Sequence, residues 1–457
     1  MATTKLHLTE RETAARFLPR EMTYDEVTRD VSEQILTKRV GRVWWIFFAI
    51  SILGTGLMLA SIAWLFIEGI GIWGINTSNI WGFAIANYVW WIGIGNAGTL
   101  ISSMLLLTRQ KWRSSINRFA EAMTLFAASI AGLFPILHLG RPYYFFWLVP
   151  YPSTMDLWPQ WRSPLVWDLF AIASYLIFSI LFWYTGVIPD LATMRDRART
   201  TTGRVLYGAF ALGWTGSARD WARYEKYYKA MAALGVPLVC SVHSVVGLDF
   251  AAGLAPGWQE TIFPPYFVVG AMFSGFAMVV TLAIAIRWGF GLRHLITDNH
   301  LDLMGKILLM GSLIMGISYA TEWFMSWYGG SDADRSVVSF EFTGPYAPWY
   351  WLMLFGNVLA PQLLWFRTAR INTAILIFVA IMINVGMWLE RILIVAVTPS
   401  HDQLPSQWRL YSPTIWDWSL FIGTLGFFLF MFLCFVRLVP VVSMHEVKQL
   451  AHERRSA

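Results

Sequence analysis

Long apolar segments are the sequence feature that most constrains the fold of this chain. There are ten of them, bounded by charged residues, Pro or Gly, and most reach the roughly 20 residues that an α-helix needs to cross a bilayer. They lie at 43–68, 79–108, 115–138, 164–187, 228–250, 262–286, 300–328, 347–366, 371–397 and 413–439. Only 14% of the residues are charged, against roughly 25% in soluble proteins. We therefore predict an all-α polytopic membrane protein with ten transmembrane helices.

The distribution of basic residues predicts the orientation of these spans. The N-terminal tail, the loops after the even-numbered spans and the C-terminal end carry 27 Lys and Arg residues, whereas the other loops carry four. Loops on the cytoplasmic side of a membrane are enriched in Lys and Arg. Both termini are therefore predicted to be cytoplasmic, with a segment at 1–41, a membrane domain at 42–440 and a tail at 441–457. A multi-pass location in a bacterial inner membrane follows, and the net charge of +6 gives no reason to expect nucleic acid as a partner.

Two segments outside the spans have distinct compositions. Thr23-Tyr-Asp-Glu26 has the pattern of a capping box, which predicts a short helix through about Leu36. A loosely ordered tail is the alternative there. The inner loop predicted at 188–226 is long and basic, whereas the outer loops at 139–163, 329–346 and 398–412 are rich in Pro, Trp and Tyr.

The cysteines limit the cofactors that this chain can carry by itself. Cys240 and Cys434 are the only two, and both lie in apolar runs. They can build neither a disulfide framework nor a Cys-ligated iron–sulfur cluster. There is no C-x-x-C-H motif, and only His138 and His243 lie at a depth that suits a pair of haem ligands. We expect no haem, iron–sulfur cluster or metal site in this chain.

Ionisable residues within the predicted spans mark candidate functional positions, because burying them in a bilayer is costly. A smaller set lies towards the inner face: Glu121, Lys229, Asp302 and Lys306. A larger set lies towards the outer face: Glu68, His138, Arg141, Asp168, His243, Asp249, Glu322, Glu390, Arg391 and Asp417. Because the larger set contains both intramembrane histidines, we expect any chemistry near the outer side.

The fourth and tenth spans open with the same pattern, Ser163-Pro-Leu-Val-Trp-Asp168 and Ser412-Pro-Thr-Ile-Trp-Asp417. Ser at the N-cap followed by Pro favours a helix start. The aspartate then lies roughly 6 Å into the helix at 1.5 Å per residue, which is too deep for ordinary capping. We predict a functional carboxylate at Asp168. The alternative is an interfacial carboxylate facing an aqueous loop, and it has more weight for Asp417.

His138 is the second candidate for a functional group. It closes the third span in Phe134-Pro-Ile-Leu-His-Leu-Gly-Arg-Pro142, where Pro135 predicts a kink and Gly140 the helix end. One outer loop joins the third and fourth spans, so His138 and Asp168 are expected to face one pocket. An imidazole and a carboxylate can bind a hydroxyl and accept its proton. Alternatively, His138 only bonds to a loop carbonyl.

Three further charged residues reach the outer half of the predicted membrane domain: Glu322 in the seventh span and Glu390-Arg391 in the ninth. Neighbouring residues on a helix point about 100° apart, so we expect Glu390 and Arg391 each to find a partner on another helix. A purely structural ion pair is the alternative. His243 and Asp249, six residues apart, fall on different faces and form no evident constellation.

A chain of ionisable residues is the candidate for a proton path. Glu121, Asp302 and Lys306 lie at its inner end, and the members further out are Asp249, Glu390 and Asp417. Asp302 and Lys306 are four residues apart on one helix face, so an ordinary ion pair explains these two equally well.

Several motifs together resemble one family, the NrfD-like or polysulfide-reductase-type membrane subunits. They are Asn87 to Gly98, Phe134 to Pro142, Ser163 to Asp168, Val242 to Asp249, Pro256 to Phe267 and Ser274 to Ala277. The likeness runs over all ten spans. The length and the basic N-terminal tail resemble in particular the quinol-oxidising membrane subunit of alternative complex III.

The resemblance implies a fold and a function. It implies two four-helix bundles, spans 2–5 and 6–9, flanked by two further helices. It also implies a bound quinol, of the menaquinol type, near the outer face, with His138 and Asp168 at its head group and Glu322 and Arg391 lining or supporting the site. Arg141 beside them completes the candidate binding set. The implied partners are a peripheral iron–sulfur protein that takes the electrons, multi-haem c-type cytochrome subunits and a second NrfD-like membrane subunit, all within membrane lipid.

Three other functions remain open from the sequence. Alternative complex III contains a related second membrane subunit, which acts as an anchor or a proton-path subunit. A passive anchor for a peripheral redox protein is the second alternative. Ten helices with Gly and Pro interruptions also fit a secondary transporter, although transporters place their sites near the midplane of the bilayer.

Overall fold

The computed structural model describes residues 10–37, 40–149, 161–162 and 164–456, and within them it forms helices and no β-strand. Inner and outer are used below for the two ends of the bundle in the orientation that the basic residues predict. The α-helices, in chain order, are α1 Glu10–Phe17, α2 Tyr24–Leu36, α3 Arg42–Glu68, α4 Gly82–Leu107, α5 Asn117–Ala131, α6 Phe134–Leu137, α7 Pro164–Arg197, α8 Thr201–Phe210, α9 Ala218–Ala251, α10 Phe263–Gly289, α11 Asp298–Tyr328, α12 Asp332–Thr343, α13 Ala347–Leu354, α14 Arg367–Ile371, α15 Thr373–Ile392, α16 Ile415–Leu438 and α17 Met444–Ser456.

Nine helices in the described part of the chain are long and apolar enough to cross a membrane. They correspond to nine of the ten predicted spans, and the prediction of an all-α multi-pass membrane protein is confirmed. The number ten and the cytoplasmic location of the termini stay predictions.

The eighth predicted span, 347–366, has an irregular winding. It is helical from Ala347 to Trp365, but α13 gives way to a π-helical turn at Phe355–Leu359 and then to a 3-10 helix at Ala360–Trp365. Pro361 lacks the N–H that an α-helix needs at this position. The change of winding therefore follows from the sequence, and it carries Asn357 into the protein interior.

The helices form two bundles with a flanking pair. α4, α5, α7 and α9 pack together, α10, α11, α13 and α15 form the second group, and α4 packs on α10 where the groups meet. α3 and α16 pack along one another beside the first bundle, where a Cβ on Gly54 would lie 2.7 Å from the Cα of Gly426. This grouping is the one that the resemblance implied.

The predicted inner loop at 188–226 is largely helical, so that prediction was wrong. α7 continues to Arg197, α8 follows, and α9 begins at Ala218 behind a capping box of Ser217 and Asp220. Charged residues on the surface of an extended helix resemble a polar loop in a hydropathy reading. The two helices therefore project beyond the apolar runs on the inner side.

The N- and C-terminal segments form one unit at the inner ends of the helices. The capping box predicted at Thr23 and Glu26 is confirmed, and α2 follows it. Arg454 and Arg455 of α17 donate to the backbone carbonyls of Leu18 and Met22, at 2.6 and 2.5 Å. The N-terminal segment is therefore folded against α17.

The close approach of α3 and α16 can be tested at Gly54. Gly54→Val places side-chain atoms against the backbone of Gly426 and is expected to destabilise the protein by about 1–3 kcal/mol, the usual cost of overpacking. Gly56→Val is the matched control, because a Cβ on Gly56 has no neighbour within 4 Å. Thermal unfolding of the purified chain measures both variants, and equal melting temperatures would contradict the packing described here.

Candidate functional site

His138 lies at the outer end of the third span, directly after a break in the helix. α5 ends at Ala131 and α6 begins at Phe134, as expected because Pro135 cannot donate a backbone hydrogen bond. The half-buried His138 ring places Nε2 3.1 Å from the carbonyl oxygen of Ile80, to which it donates. The ring stacks on Trp73 with a centroid distance of 6.0 Å. The structure thus gives His138 a loop carbonyl as its partner.

Asp168 lies in the second turn of α7 and is 1% exposed. The hydroxyl of Tyr88 on α4 donates to its Oδ2 at 2.8 Å. Asp168 Oδ1 is buried without a hydrogen-bond donor among the described residues. The expected N-cap, Ser163, lies outside the described residues.

Asp249 on α9 is the second carboxyl group of this site. Its side chain is in hydrogen-bonding contact with that of Asp168. Two carboxyl groups can share a hydrogen bond only when one of them carries a proton. The expectation that Asp249 joins no constellation was wrong: its partner is on another helix, and a comparison with His243 on the same helix does not detect it.

Aromatic side chains surround this outer cluster, which comprises Asp168, Asp249 and Tyr88. Phe250, next to Asp249, contacts Trp81 and Trp258 with centroid distances of 5.6 and 5.1 Å. Trp81 in turn follows Ile80, the partner of His138. His138 and the outer cluster therefore belong to one outer region with aromatic neighbours, but no hydrogen bond joins His138 to Asp168 within the described residues. Arg141 is exposed at the surface of this region.

Glu390 and Arg391 form a separate group in the second bundle. They pair with each other, with 2.8 Å between Arg391 Nη1 and Glu390 Oε1, so the expectation that they would pair only with other helices was wrong. Each also has a partner elsewhere: Tyr319 donates to Glu390, and the Arg391 guanidinium lies 4.2 Å from the ring centre of Phe267. The local turn lets two neighbouring long side chains bend towards one another.

Glu322 joins other carboxyl groups at the outer end of the second bundle. Its electrostatic neighbours are Glu341, Glu260 and Glu390. Phe267 stacks on Phe250 with a centroid distance of 5.3 Å, and this aromatic pair lies between the two groups. Glu322 and Arg391 therefore belong to the second bundle, and among the described residues no hydrogen bond or ion pair links them to the outer cluster.

Asp417 has contacts that explain it without chemistry. The N-cap of α16 is Thr414, and Asp417 closes a capping box with it. Asp417 Oδ2 also accepts from the backbone N–H of Gly74 at 2.9 Å. The prediction that Ser412 caps the helix and that Asp417 lies too deep for capping was wrong, because the helix begins two residues later than the Ser-Pro pattern indicates.

Polar side chains continue through the first bundle towards the inner side. Asn96 contacts His243, and the side-chain oxygens of Thr99 and Ser179 lie 3.4 Å apart. Nearer the inner end, Tyr228 donates to Glu121 at 2.9 Å. Most of these polar residues were not predicted from the sequence, because Tyr, Asn and Thr in an apolar run have no charge to mark them.

Asp302 at the inner end is engaged in ion pairs. Lys306 and Arg370 each lie 2.8 Å from one of its oxygens. An ordinary ion pair therefore accounts for Asp302 and Lys306. Within the described residues, no group of three or more His, Cys, Asp or Glu side chains could hold a metal ion.

These features define a multi-pass helical membrane protein with paired carboxyl groups buried at the outer end of one bundle. Residues 72–400 match the family model described as "Polysulphide reductase, NrfD". The chain belongs to this family.

Two curated relatives are similar over most of their length. One is the C-type subunit of the selenate reductase of Mesobacillus selenatarsenatis, to which the chain is 24% identical over 403 residues, covering 84% of this chain and 91% of that protein. The other is the Hdr-like menaquinol oxidoreductase integral membrane subunit of Archaeoglobus fulgidus, with 23% identity over 437 residues, covering 89% and 96%. Both relatives are named as subunits of oxidoreductases.

Glu341 on α12 allows a pH test of the acidic group. Burial raises its pKa to about 7. A carboxyl group whose pKa is higher in the folded than in the unfolded state favours folding while it is protonated, and that contribution is lost as the pH rises through about 7. Glu341→Gln is therefore expected to reduce the loss of thermal stability between about pH 5 and pH 8.

The control is Asp332→Asn on the same helix, because the Asp332 side chain is fully exposed. Melting temperatures of the three proteins across this pH range provide the measurement. An unchanged pH profile in Glu341→Gln would contradict the burial of this carboxyl group.

Proposed function

We propose that this chain is the quinol-binding and quinol-oxidising membrane subunit of an electron-transfer complex of the alternative complex III type. The observation that carries the proposal is the outer cluster, in which Asp168 and Asp249 meet across two helices while Asp168 Oδ1 lacks a donor among the described residues. A quinol hydroxyl is a donor of the kind that this oxygen needs. The name of the menaquinol oxidoreductase relative supports the same substrate class, and menaquinol is the quinol that we propose.

The proposed chemistry follows from the oxidation of a quinol to a quinone, which releases two protons and two electrons. Asp168 accepts the first proton at Oδ1, and its contact with Asp249 offers a second carboxyl group for the proton. Tyr88 holds the Asp168 side chain in place through its hydrogen bond. His138 and Arg141 are proposed to bind the quinol head on the more exposed side, and Glu322 and Arg391 to support the site from the second bundle.

The electrons leave the chain to a partner. We propose a peripheral iron–sulfur protein as the acceptor, within a complex that also contains multi-haem c-type cytochrome subunits and a second NrfD-like membrane subunit. These partners follow from the family resemblance. The names of both relatives, which describe subunits of larger enzymes, support a role within a complex.

A proton path through the first bundle is a second proposed function of the same chain. The observation that favours it is the series of buried polar side chains that runs from Asp249 through His243 and Asn96 to Tyr228 and Glu121. Glu390 is the candidate in the second bundle. Asp417 is left out of this proposal, because helix capping and the Gly74 contact occupy its carboxylate.

Asp168→Asn tests the quinol site. The amide has nearly the same shape but cannot accept the quinol proton, so we expect quinol turnover by the assembled complex to fall at least about 100-fold, the lower range for loss of a general base. The matched control is Asp417→Asn at the twin position, which should retain most of the turnover per assembled complex. Turnover of Asp168→Asn within twofold of wild type would contradict the proposal and favour the anchor function.

Two further measurements separate the alternatives. Binding of a fluorescent quinol analogue to the purified protein should weaken in Asp168→Asn and in His138→Ala. Binding that ignores both substitutions would move the site elsewhere. Solute flux into vesicles that contain this chain alone would instead favour a secondary transporter.

A further inference from the structure

A cavity of about 270 Å³ lies at the inner ends of α4 and α9, beneath α17. Four basic side chains line it: Arg109, Lys111, Arg113 and Lys229. It is distant from the outer cluster, and the proposed quinol chemistry makes no use of these cations. The cavity is therefore a candidate for a second binding site.

The charges around the cavity do not balance. Each of its three acidic residues already has a basic partner: Glu453 pairs with Lys111 at 2.6 Å, Glu225 with Lys229 at 3.3 Å, and Glu446 with Arg113. The fourth cation, Arg109, is exposed and takes part in none of the ion pairs between described residues. One positive charge is therefore left over at the rim.

Arg113 supplies a second sign of an anionic ligand. The residue is 8% exposed, and its Nη1 has no hydrogen-bond partner among the described residues. A buried guanidinium donor without a partner is energetically unfavourable. Arg113 lines the cavity, so an anion bound there would lie beside this donor.

The position of the cavity along the helices places it at the level of the lipid headgroups. At 1.5 Å per residue, Lys229 lies roughly 33 Å along α9 from Ala251, and Arg109 roughly 40 Å along α4 from Gly82. The hydrocarbon core of a bilayer is about 30 Å thick, or 40–45 Å with both headgroup layers. The cations thus lie in the inner headgroup layer.

The apolar surroundings continue into the lipid. Leu106 lines the cavity, and its neighbours on the last turns of α4, Met104 and Leu107, are 41% and 45% exposed. A molecule with a phosphate group in the cavity and acyl chains along this face of α4 would satisfy both surfaces. Basic pockets between membrane helices on the cytoplasmic side commonly bind anionic lipid headgroups.

We propose that the cavity binds the phosphate headgroup of an anionic phospholipid of the inner leaflet, with Arg109 and Lys229 at its rim and Arg113 at its inner wall. A phosphate oxygen accepts hydrogen bonds from the guanidinium groups, and the acyl chains lie against α4. Free phosphate has the same head-group chemistry. The lipid is favoured by the depth of the cavity and by the exposed apolar residues beside it.

The experiment measures the binding of cardiolipin to the full chain. The chain is reconstituted in nanodiscs of phosphatidylcholine that contain increasing amounts of cardiolipin, and native mass spectrometry counts the lipids that each chain retains. Arg109→Gln combined with Lys229→Gln removes both rim cations. We expect retention to weaken by roughly 30-fold, the effect of two cations near a lipid surface.

The control carries the same loss of charge elsewhere on the inner side. Arg204→Gln combined with Arg293→Gln changes two exposed residues that do not line the cavity, and retention should stay within twofold of wild type. Melting temperatures in phosphatidylcholine alone verify that both double variants are folded.

The outcomes distinguish a lipid site from a general charge effect and from a site for a soluble anion. Selective loss of cardiolipin in the rim variant supports the proposal. Equal loss in both double variants would overturn it, because the overall surface charge would then account for the binding. Unchanged retention in the rim variant, or displacement of the lipid by an excess of inorganic phosphate, would also overturn it, the latter in favour of a soluble anion.

Discussion

The close packing of α4 against its neighbours is the interaction on which the rest of the structure depends. A Cβ on Gly98 would lie 2.1 Å from the carbonyl oxygen of Ala120 on α5, and one on Gly275 of α10 would lie 2.2 Å from the Cβ of Ala97. Small residues let membrane helices approach this closely, where packing replaces the hydrophobic effect as the main source of association. α4 thereby joins the two bundles and carries Tyr88 and Asn96 into the centre of the first.

The two bundles satisfy their buried carboxyl groups in different ways. In the first bundle the outer cluster combines two aspartates with a tyrosine, so a proton has to be shared. In the second, Glu390 lies beside Arg391 and accepts a hydrogen bond from Tyr319. A carboxylate that is already paired with a guanidinium is poorly suited to collecting protons from a substrate. The difference favours the first bundle as the place of proton chemistry, even though both bundles have the same number of main helices.

The sequence predicted the fold class and most helices, because long apolar runs and alternating basic loops are local signals. It located Asp168, His138 and Asp249 individually, yet it could not show that Asp168 meets Asp249 and that His138 bonds to Ile80. These contacts depend on how α7, α9 and the loop before α4 are arranged in space. The Ser-Pro pattern at Ser412 also misled the prediction, because a pattern that starts one helix can stand two residues outside another.

The N- and C-terminal segments meet in the folded protein, and this has a consequence for biosynthesis. α1 and α2 are made first and α17 last, but α17 holds the segment that contains both of the earlier helices through Arg454 and Arg455. α3 likewise finds its partner α16 only after all the intervening helices have been inserted. The first helices therefore leave the ribosome without their native neighbours, and the structure closes only when translation is complete. A truncated chain would lack the contact that joins its two ends.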